Sequence, residues 1–542
     1  MVGYGIRDRR LIYKIRIKGA AASAATPFIQ TAKRRKNMKF EMLENEYWWC
    51  GSVDIGHEMP FSHETDLEVD LNGNGHESDQ YAPVMVSSLG RYVWSEESFK
   101  AKIKKGTIEL EGDADFELHD GYENLKGAYL AAMKAHFPFT GELPDELFWR
   151  VPQYNTWIEL GTNQTSENII NYAKAILDNG LPPGVLMIDG GWQEDYGIYE
   201  EFNRGKIPNP KALTDELHNM GFKVMLWVSP IVASAGTRFK ELRAKGYLIR
   251  NAEGEIAVRQ WWSGYSAVLD FSNPGAVKWM RDCLSALMEK YGADGFKFDA
   301  GDYSFYGDDD LIYKPMPARD QTTEFNRMGE IYKFNEYRAA WKFGGHPIVA
   351  RLHDKYHSWD KFGLNTLISH TVAQGLCGYA YCCPDMVGGG ILDCFTDGKK
   401  LDEELFVRWA QANALMGMMQ LSRLPWGVLS AENAKRVVEA TELHAKFGDK
   451  FYELAKHAAK TGEPIVRHMA YEFPNEGFET ENGQFMLGSD ILAAPVLEKG
   501  AAIKNVHLPK GKWRDMSGKV YDGGQTVCVD ADIDTLPYFE KI

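Results

Sequence analysis

The chain has 542 residues and a formal net charge of −15, and hydrophobic residues make up 44% of it. This length and composition are typical of a soluble globular protein with about two to four domains, and they exclude disordered, collagen-like and small disulfide-rich classes. The acidic body of the chain argues against a nucleic-acid partner. The sequence contains no apolar run of about 18 residues, so we expect no membrane span.

The cysteines give no sign of a metal centre or a disulfide framework. No CxxC motif or Cys/His ladder occurs, and the number of cysteines is odd. We therefore expect no metal, no cofactor and a reducing, cytoplasmic location. The seven cysteines are Cys50, Cys283, Cys377, Cys382, Cys383, Cys394 and Cys528.

Residues 1–37 differ from the rest of the chain, because they hold ten Lys and Arg residues and one acidic residue. An Arg-rich segment poor in acidic residues is also typical of a transit peptide, whereas a signal peptide would need a longer apolar stretch. We interpret the segment as a basic extension, disordered or not native, that precedes a true start at Met38.

Residues 38–145 alternate aromatic and β-branched residues with turns rich in Gly, Asn and Asp, such as DLNGNGHESD. This pattern predicts an N-terminal antiparallel β-sandwich. After about residue 462 the helical pattern stops, and residues 463–542 are predicted to form a C-terminal β domain.

Between these regions, short apolar segments alternate about eight times with segments of helical period. The alternation predicts a catalytic (β/α)8 TIM barrel over residues 146–462. An open parallel sheet is the competing architecture, but no GxGxxG motif follows the first strand. Residues 323–345 are predicted as one helix, and AVLDF (267–271) is predicted as a barrel strand.

Several barrel segments end on charged or aromatic residues, and catalytic groups of such barrels lie at the carboxyl ends of the strands. Any single aspartate there could simply cap a helix. Four aspartates accompanied by Arg, Lys and Trp favour a shared site instead. The residues are Asp189, Trp227, Lys297, Asp299, Arg351, Asp354 and Asp385.

Paired carboxylates on one edge are suited to glycoside hydrolysis, in which one attacks the anomeric carbon and the other protonates the leaving oxygen. Arg and Lys bind sugar hydroxyls and lower the pKa of a nucleophilic carboxylate. Trp stacks on the apolar face of a sugar ring, although the 15 Trp residues are equally compatible with buried aromatic cores.

From about residue 150 to about residue 500 the chain resembles family 31 of the glycoside hydrolases. DGFKFDAGD resembles the nucleophile segment of that family, which implies that Asp299 is the nucleophile. RLHDKYHSWDKF resembles the acid/base segment, which implies that Asp354 is the acid/base, with Trp359 five residues later. Later landmarks are an Arg-Trp helix (EELFVRWAQANALM) and the strand FMLGSDILAAPVL.

The same resemblance implies a set of sugar-binding residues. VLMIDGGW matches an early strand of the family, and RQWWSG and an arginine sixteen residues before Asp354 match positions that line the first sugar subsite. Asp302 either binds substrate or holds its own loop, and either tryptophan of RQWWSG could be core. The predicted substrate-binding residues are Asp189, Trp192, Trp227, Trp262, Lys297, Asp302, Arg338, Arg351 and Asp385.

Three departures from the family pattern are informative. The acid/base segment usually begins Trp-x-Gly-Asp, whereas here His353 directly precedes Asp354. The histidine that follows the Arg-Trp helix in family glucosidases is missing. Lys297 stands two residues before Asp299, as in the Lys-x-Asp of α-galactosidases from related barrel families. These departures favour an α-galactosidase-like branch. His353 and His357 flank Asp354 but lack the usual spacing of metal ligands.

The resulting prediction is a retaining, exo-acting α-glycosidase that hydrolyses terminal α-galactosides of oligosaccharides or other glycosides. The alternatives are an α-glucosidase or α-xylosidase of the same family, and a non-catalytic carbohydrate-binding pseudoenzyme. A metal-dependent barrel hydrolase is a more distant alternative. A homo-oligomer is compatible with the sequence.

Overall fold

A computed structural model describes residues 35–71, 79–396 and 399–542 of the chain. Most of the predicted basic extension therefore lies outside the described residues. The first described strand begins at Lys36. No helix within these ranges is long and apolar enough to cross a membrane.

In the described part of residues 36–119, two antiparallel sheets form the N-terminal domain, as the alternating pattern predicts. One sheet has the order β1-β7-β6-β3, and the other has β4 between β2 and β5, with β8 beyond β5. The strands are β1 (Lys36–Glu41), β2 (Trp48–Ser52), β3 (Asp66–Asp70), β4 (Gln80–Ser87), β5 (Tyr92–Ser95), β6 (Phe99–Lys104), β7 (Thr107–Gly112) and β8 (Phe116–His119).

The middle of the chain contributes a parallel barrel and a small side sheet. Its strands are β9 (Gln153–Asn155), β10 (Val185–Ile188), β11 (Lys223–Val228), β12 (Ile231–Ala233), β13 (Val258–Trp261), β14 (Gly264–Val268), β15 (Gly295–Phe298), β16 (Phe334–Tyr337), β17 (Ala340–Trp341), β18 (Ala350–Arg351), β19 (Cys382–Cys383) and β20 (Gln420–Leu421). The barrel order is β19-β18-β16-β15-β11-β10-β9-β20. A bridge between Met386 and Gln420 brings the two ends of this order together, so the barrel is nearly closed.

Thirteen α-helices occur among the described residues, and most of them surround the barrel. They are α1 (Leu125–His136), α2 (Leu147–Arg150), α3 (Trp157–Leu160), α4 (Ser166–Asp178), α5 (Pro210–Asn219), α6 (Thr237–Lys245), α7 (Pro274–Tyr291), α8 (Asp320–Gly329), α9 (Leu367–Leu376), α10 (Glu403–Ala414), α11 (Ala431–Lys446), α12 (Gly448–Thr461) and α13 (Met469–Glu472).

Local sequence explains the ends of the longest barrel helix. The side chain of Asn273 accepts a hydrogen bond from the backbone of Gly275, and Pro274 occupies the first turn of α7, where a missing N–H is tolerated. Gly292 ends the helix with φ of +80°, a conformation that glycine adopts without strain. The chain then enters β15, which carries the central carboxylate of the site.

Two sequence predictions about the barrel are wrong. Residues 323–345 do not form one helix, because α8 ends at Gly329 and the chain continues as the barrel strand β16 and the short strand β17. Polar Asn335 and Glu336 are completely buried in β16, so this strand lacks the apolar run that identifies the others. AVLDF lies at β14, which pairs with β12 and β13 outside the barrel.

The barrel contacts the N-terminal domain through strand pairing. β17 pairs in parallel with the start of β4, with Ala340 opposite Gln80 and Trp341 opposite Tyr81. This pairing brings the beginning of β4 close to the carboxyl end of β16. A residue of the N-terminal domain is therefore placed within reach of the barrel edge at which the predicted site residues lie.

The described residues after α12 form a C-terminal β domain, as predicted. One sheet has the order β21-β22-β23-β28-β25-β26, and β24 pairs with β27. The strands are β21 (Val466–Arg467), β22 (Phe485–Leu487), β23 (Ile491–Ala493), β24 (Ile503–Leu508), β25 (Lys512–Asp515), β26 (Val520–Asp522), β27 (Gln525–Asp530) and β28 (Tyr538–Lys541).

Candidate active site

The carboxyl ends of the barrel strands bring most of the predicted site residues to one edge. Asp189 follows β10, Asp299 follows β15 and Arg338 follows β16, while Arg351 ends β18 and Asp385 lies just after β19. Parallel strands present their carboxyl ends together, which is why residues from distant parts of the sequence meet here.

Asp299 is held by two neighbouring strands. Its Oδ1 accepts a hydrogen bond from Arg338 Nε at 2.8 Å, and its Oδ2 accepts one from the indole Nε1 of Trp227 at 3.0 Å. Burial opposes ionisation, but the charges of Arg338 and Lys297 outweigh it and hold the pKa of Asp299 well below its ordinary value. The side chain is 12% exposed, so a fixed carboxylate faces the open edge of the barrel.

Arg338 is itself oriented by a second carboxylate. Its Nη1 and Nη2 donate to the two oxygens of Asp302 at 2.9 and 2.8 Å. This paired geometry fixes the plane of the guanidinium, which leaves Nε directed at Asp299. Asp302 therefore contacts the site through Arg338.

Lys297 and Asp189 form a buried ion pair beside Asp299. Lys297 Nζ lies 2.7 Å from Asp189 Oδ2, and both side chains are almost completely buried. Side chains along a strand alternate in direction, so Lys297 points to the same side of β15 as Asp299. The pair forms a buried polar surface next to the Asp299 carboxylate.

Arg351 joins Asp354 to Asp385. Its Nη1 donates to Asp354 Oδ1 at 2.7 Å and to Asp385 Oδ1 at 2.8 Å. Asp354 has a side chain that is 34% exposed, whereas Asp385 is completely buried. Arg351 therefore fixes one oxygen of Asp354 and leaves the rest of that carboxyl accessible.

Asp385 occupies a strained and desolvated position. Its φ of +70° is unusual for a residue other than glycine, and Asn413 Nδ2 donates to its backbone oxygen at 3.1 Å. Burial and the nearby charge of Asp354 raise the pKa of Asp385, although Arg351 opposes the shift. Strain of this kind persists where surrounding contacts determine a functional geometry.

The three predicted tryptophans have different environments. Trp227 contacts Asp299 from β11, and Trp262 lies between β13 and β14, 58% exposed, with the Arg338 guanidinium carbon 5.5 Å from its ring centroid. Trp192 is completely buried and donates from Nε1 to the Trp227 carbonyl at 2.8 Å. The Trp192 ring therefore lies in the core, whereas the predicted sugar contact would need an exposed face.

Several buried residues of the site were not predicted. Glu336 lies opposite Lys297 in the β15–β16 register, and its Oε2 accepts from Gln420 Nε2 at 2.6 Å. Its Oε1 lies 3.3 Å from Arg351 Nε. This carboxylate was missed together with its strand, because the β16 sequence FNEY places two polar residues side by side and has no apolar run.

A cavity of about 580 Å³ opens beside Asp354. From the barrel side, His353, Asp354, Tyr356 and Phe362 line it. From the N-terminal domain it is lined by Ser52, Asp54, Ile55, His57, Glu58, Leu67, Glu68, Val69 and Asp70. The accessible face of Asp354 is therefore directed towards a space that two domains enclose.

One group of potential metal ligands lies near this cavity. Asp79, His353 and His370 present ligand atoms within 4.8 Å of one another. Lys355 Nζ lies 2.9 Å from His370 Nδ1, so an ammonium already places a positive charge beside the group. Repulsion from that charge disfavours a second cation there. His357, which flanks Asp354 on the other side, has its Nδ1 2.8 Å from the Gly388 carbonyl oxygen.

Curated relatives match over most of the chain. The myogenesis-regulating glycosidase of Mus musculus is 28% identical over 99% of this chain and 74% of its own length. The α-xylosidase XylQ of Lactiplantibacillus pentosus is 26% identical over 82% of this chain and 60% of its own length. The α-glucosidase 2 of Bacillus thermoamyloliquefaciens is 24% identical over 76% of this chain and 54% of its own length, so this chain is shorter than each of these relatives.

A solved structure and two family models agree with the fold. A family 31 dextranase of Flavobacterium johnsoniae superposes with a TM-score of 0.80 at 20% identity, over 94% of this chain and 66% of the dextranase. The model described as the glycosyl hydrolases family 31 TIM-barrel domain matches residues 153–351, and the one described as the family 31 C-terminal domain matches residues 462–541. These models together span just over half of the sequence, and the chain belongs to glycosyl hydrolase family 31.

Proposed function

We propose that this chain is a retaining α-glycosidase that removes a terminal sugar, with Asp299 as the nucleophile and Asp354 as the acid/base. The observation that carries the proposal is the contrast between the two carboxyls. Arg338 and Trp227 hold Asp299 in place as an anion, whereas Asp354 is about one third exposed beside the cavity and bonded through one oxygen. A nucleophile and a proton donor need these different environments.

The mechanism has two displacements. An oxygen of Asp299 attacks the anomeric carbon while the bond to the leaving oxygen breaks and the proton of Asp354 moves to that oxygen. Water then attacks the anomeric carbon, Asp354 takes a proton from it, and the bond between the sugar and Asp299 breaks. Two inversions give a sugar with its original configuration.

The ion pairs around Asp299 account for its role in this scheme. A nucleophile must remain ionised until it attacks, and Arg338 and Lys297 stabilise its charge. Asp302 keeps Arg338 in place during the reaction. Glu336, Arg351 and Asp385 form the buried charges behind the edge and position Asp354.

For the sugar, the relatives favour an α-xyloside or an α-glucoside, because two of those reported above are described as an α-xylosidase and an α-glucosidase. None of the three is described as an α-galactosidase. The names of the relatives therefore give no support to the galactoside preference predicted from the sequence.

An α-galactoside remains the second candidate because of Lys297. Its ammonium and the Asp189 carboxylate lie beside the nucleophile and present a donor and an acceptor for ring hydroxyls. A galactoside differs from a glucoside in the direction of one hydroxyl, and a buried site matched to one epimer leaves polar groups unpaired with the other.

The test is a panel of p-nitrophenyl α- and β-glycosides of glucose, xylose and galactose, with the first-released anomer identified by NMR. We expect cleavage of α-glycosides only, with an α-product. Asp299→Ala should lower kcat by at least about 1,000-fold, or about 4 kcal/mol. Asp308→Ala, an exposed aspartate on a nearby loop, serves as the control.

Each outcome has a definite meaning. A β-configured first product, or an Asp299→Ala variant with more than about a tenth of the activity, contradicts the proposed mechanism. Sugar binding without hydrolysis of any glycoside supports the pseudoenzyme alternative. Faster cleavage of the α-galactoside than of the other α-glycosides selects the second candidate.

A further inference from the structure

The residue before Asp354 departs from the family pattern in a way that the proposed mechanism does not use. The family pattern to which this segment was compared has glycine there, and a glycine offers no side chain for another domain to contact. Here the residue is His353, with a side chain 12% exposed. Another residue can bind this imidazole and thereby restrict the position of the neighbouring acid/base.

Asp79 of the N-terminal domain contacts His353 at two atoms. Its Oδ1 lies 2.5 Å from the backbone nitrogen of His353, and its Oδ2 lies 2.5 Å from His353 Nδ1. Asp79 is completely buried. Two short contacts from one buried carboxylate fix both the backbone and the ring of His353.

Asp79 is in turn fixed by its place in the fold. It directly precedes β4, and its carbonyl accepts from the backbone of Ala340 at 3.2 Å, where β17 pairs with β4. The next residue, Gln80, donates from Nε2 to the Arg351 carbonyl at 2.9 Å. The N-terminal domain therefore contacts the barrel edge at two places just before Asp354, at Arg351 and at His353.

The residue after Asp354 is held as firmly. The backbone nitrogen of Lys355 donates to Asp385 Oδ2 at 2.8 Å, and its Nζ donates to Thr366 Oγ1 at 3.1 Å and lies 2.9 Å from His370 Nδ1. Asp354 is thus a partly exposed residue between two neighbours that are held by several contacts. Its carboxyl position follows from where those neighbours are held.

We infer that Asp79 is a positioning residue for the acid/base, and that the N-terminal domain sets the reach of Asp354 through its contacts with His353. This inference rests on the proposed role of Asp354. Proton donation needs the carboxyl within hydrogen-bond distance of the leaving oxygen, and a small displacement lowers the rate strongly. Both carboxylate oxygens of Asp79 contact His353, so loss of this side chain should act first on Asp354 and less on attack by Asp299.

The leaving group separates positioning from general stability. A glycoside of a weakly acidic alcohol needs a proton as its bond breaks, whereas a dinitrophenyl glycoside leaves as a stable anion without one. Asp79→Ala should lower kcat/KM for a methyl α-glycoside or an α-linked disaccharide by at least about tenfold, which is about 1.4 kcal/mol. For the dinitrophenyl α-glycoside of the same sugar we expect a change below about threefold.

Three further variants complete the design. His353→Ala keeps the backbone contact with Asp79. It should lower kcat/KM for the methyl α-glycoside or disaccharide, as Asp79→Ala does, but by a smaller factor, and should again have little effect on the dinitrophenyl α-glycoside. Asp79→Asn preserves the side-chain volume and is read in the same way if the alanine variant fails to fold. Asp66→Ala, in β3 of the same domain and 66% exposed beside Lys104, should leave both rates unchanged.

If Asp79→Ala lowers kcat/KM equally for both substrates, Asp79 only stabilises the fold. If it leaves both values unchanged, Asp79 does not position Asp354. Either result overturns the inference. Failure of the proposed function has a different signature. In that case Asp299→Ala keeps its activity, or the wild-type protein cleaves neither substrate.

Discussion

At the scale of single residues, the site is a set of buried charges in which each of two arginines contacts more than one carboxylate. Arg338 contacts Asp299 and Asp302, and Arg351 contacts Asp354 and Asp385. Removing a cation therefore changes the charge state or the position of a reacting group as well as a contact. The effects should appear in pH profiles and not only in stability.

Replacing Arg338 should move the acidic limb of the pH profile. The guanidinium holds the pKa of Asp299 low, so Arg338→Met raises that pKa and the nucleophile becomes protonated at a higher pH. We expect kcat/KM to fall by at least about tenfold near neutral pH and its acidic limb to shift upwards. A pH series of kcat/KM measures both.

Arg338→Lys should give a smaller upward shift, because a charge remains but the paired contact with Asp302 is lost. Arg327→Met, an exposed arginine of α8, is the control. An acidic limb that stays in place in Arg338→Met would show that Arg338 does not control ionisation of the nucleophile.

We expect the ion pair between Lys297 and Asp189 to contribute strongly to the stability of the fold. Lys297→Met leaves the buried Asp189 carboxylate unpaired, which typically destabilises a protein by about 3–5 kcal/mol. The double variant Lys297→Met/Asp189→Asn should recover most of that loss. Urea unfolding measures the free energies.

The same variants test the sugar preference. If Lys297 recognises a hydroxyl, Lys297→Met should change the ratio of kcat/KM for α-galactoside to that for α-glucoside by at least about tenfold. A stable double variant with an unchanged ratio would contradict a role for this pair in choosing the sugar.

At the scale of elements, strands with apolar sequences were predictable and the polar strand was not. The carboxyl ends of β10, β11 and β15 carry Asp189, Trp227 and Asp299 as the sequence indicated. β16 was hidden because Asn335 and Glu336 are buried by polar contacts, which hydrophobic patterning does not detect. Arg338 could be predicted from resemblance alone, without its strand.

The loop after β19 packs closely against Asp354. A Cβ added at Gly390 would lie 2.7 Å from Asp354 Oδ1, closer than real contacts allow. Gly390→Ala should therefore displace the acid/base and lower kcat for an alkyl α-glycoside by at least about tenfold, with little change in unfolding temperature.

Gly205→Ala is the matched control, because its added Cβ would have nothing closer than Asn203 Oδ1 at 3.2 Å. Full activity of Gly390→Ala would show that the loop can move away from Asp354, and that its position does not set the geometry of the site.

At the scale of the whole molecule, the three-domain order was predictable from the change between strand-rich and alternating segments. The contacts between the domains could not be predicted from the sequence. Asp79 ends a polar turn segment and carries no sign that it binds His353, 274 residues later. Such contacts depend on how β4 and β17 pair, and neither composition nor periodicity encodes that.

The Arg-Trp helix illustrates a family landmark with a structural role. Arg408 of α10 donates to the carbonyls of Ala501, Ala531, Asp532 and Thr535, all in the C-terminal domain. Arg408→Met should destabilise the protein by about 3 kcal/mol, because several buried carbonyls lose their donor. Urea unfolding measures the loss, and kcat of the folded protein should stay unchanged.

Arg243→Met, an exposed arginine of α6, should change neither quantity. If Arg408→Met instead lowers kcat while stability is preserved, the residue acts on the site and the assignment to domain docking is wrong.

In the proposed mechanism, Asp299 forms a covalent bond with the sugar. A fluorinated α-glycosyl fluoride of the preferred sugar slows the second step, so that the intermediate accumulates and can be mapped by peptide mass spectrometry. We predict one sugar per chain, on the peptide that contains Asp299, and no adduct in Asp299→Ala. An adduct on Asp189, Asp354 or Asp385 in the wild-type protein would contradict the account.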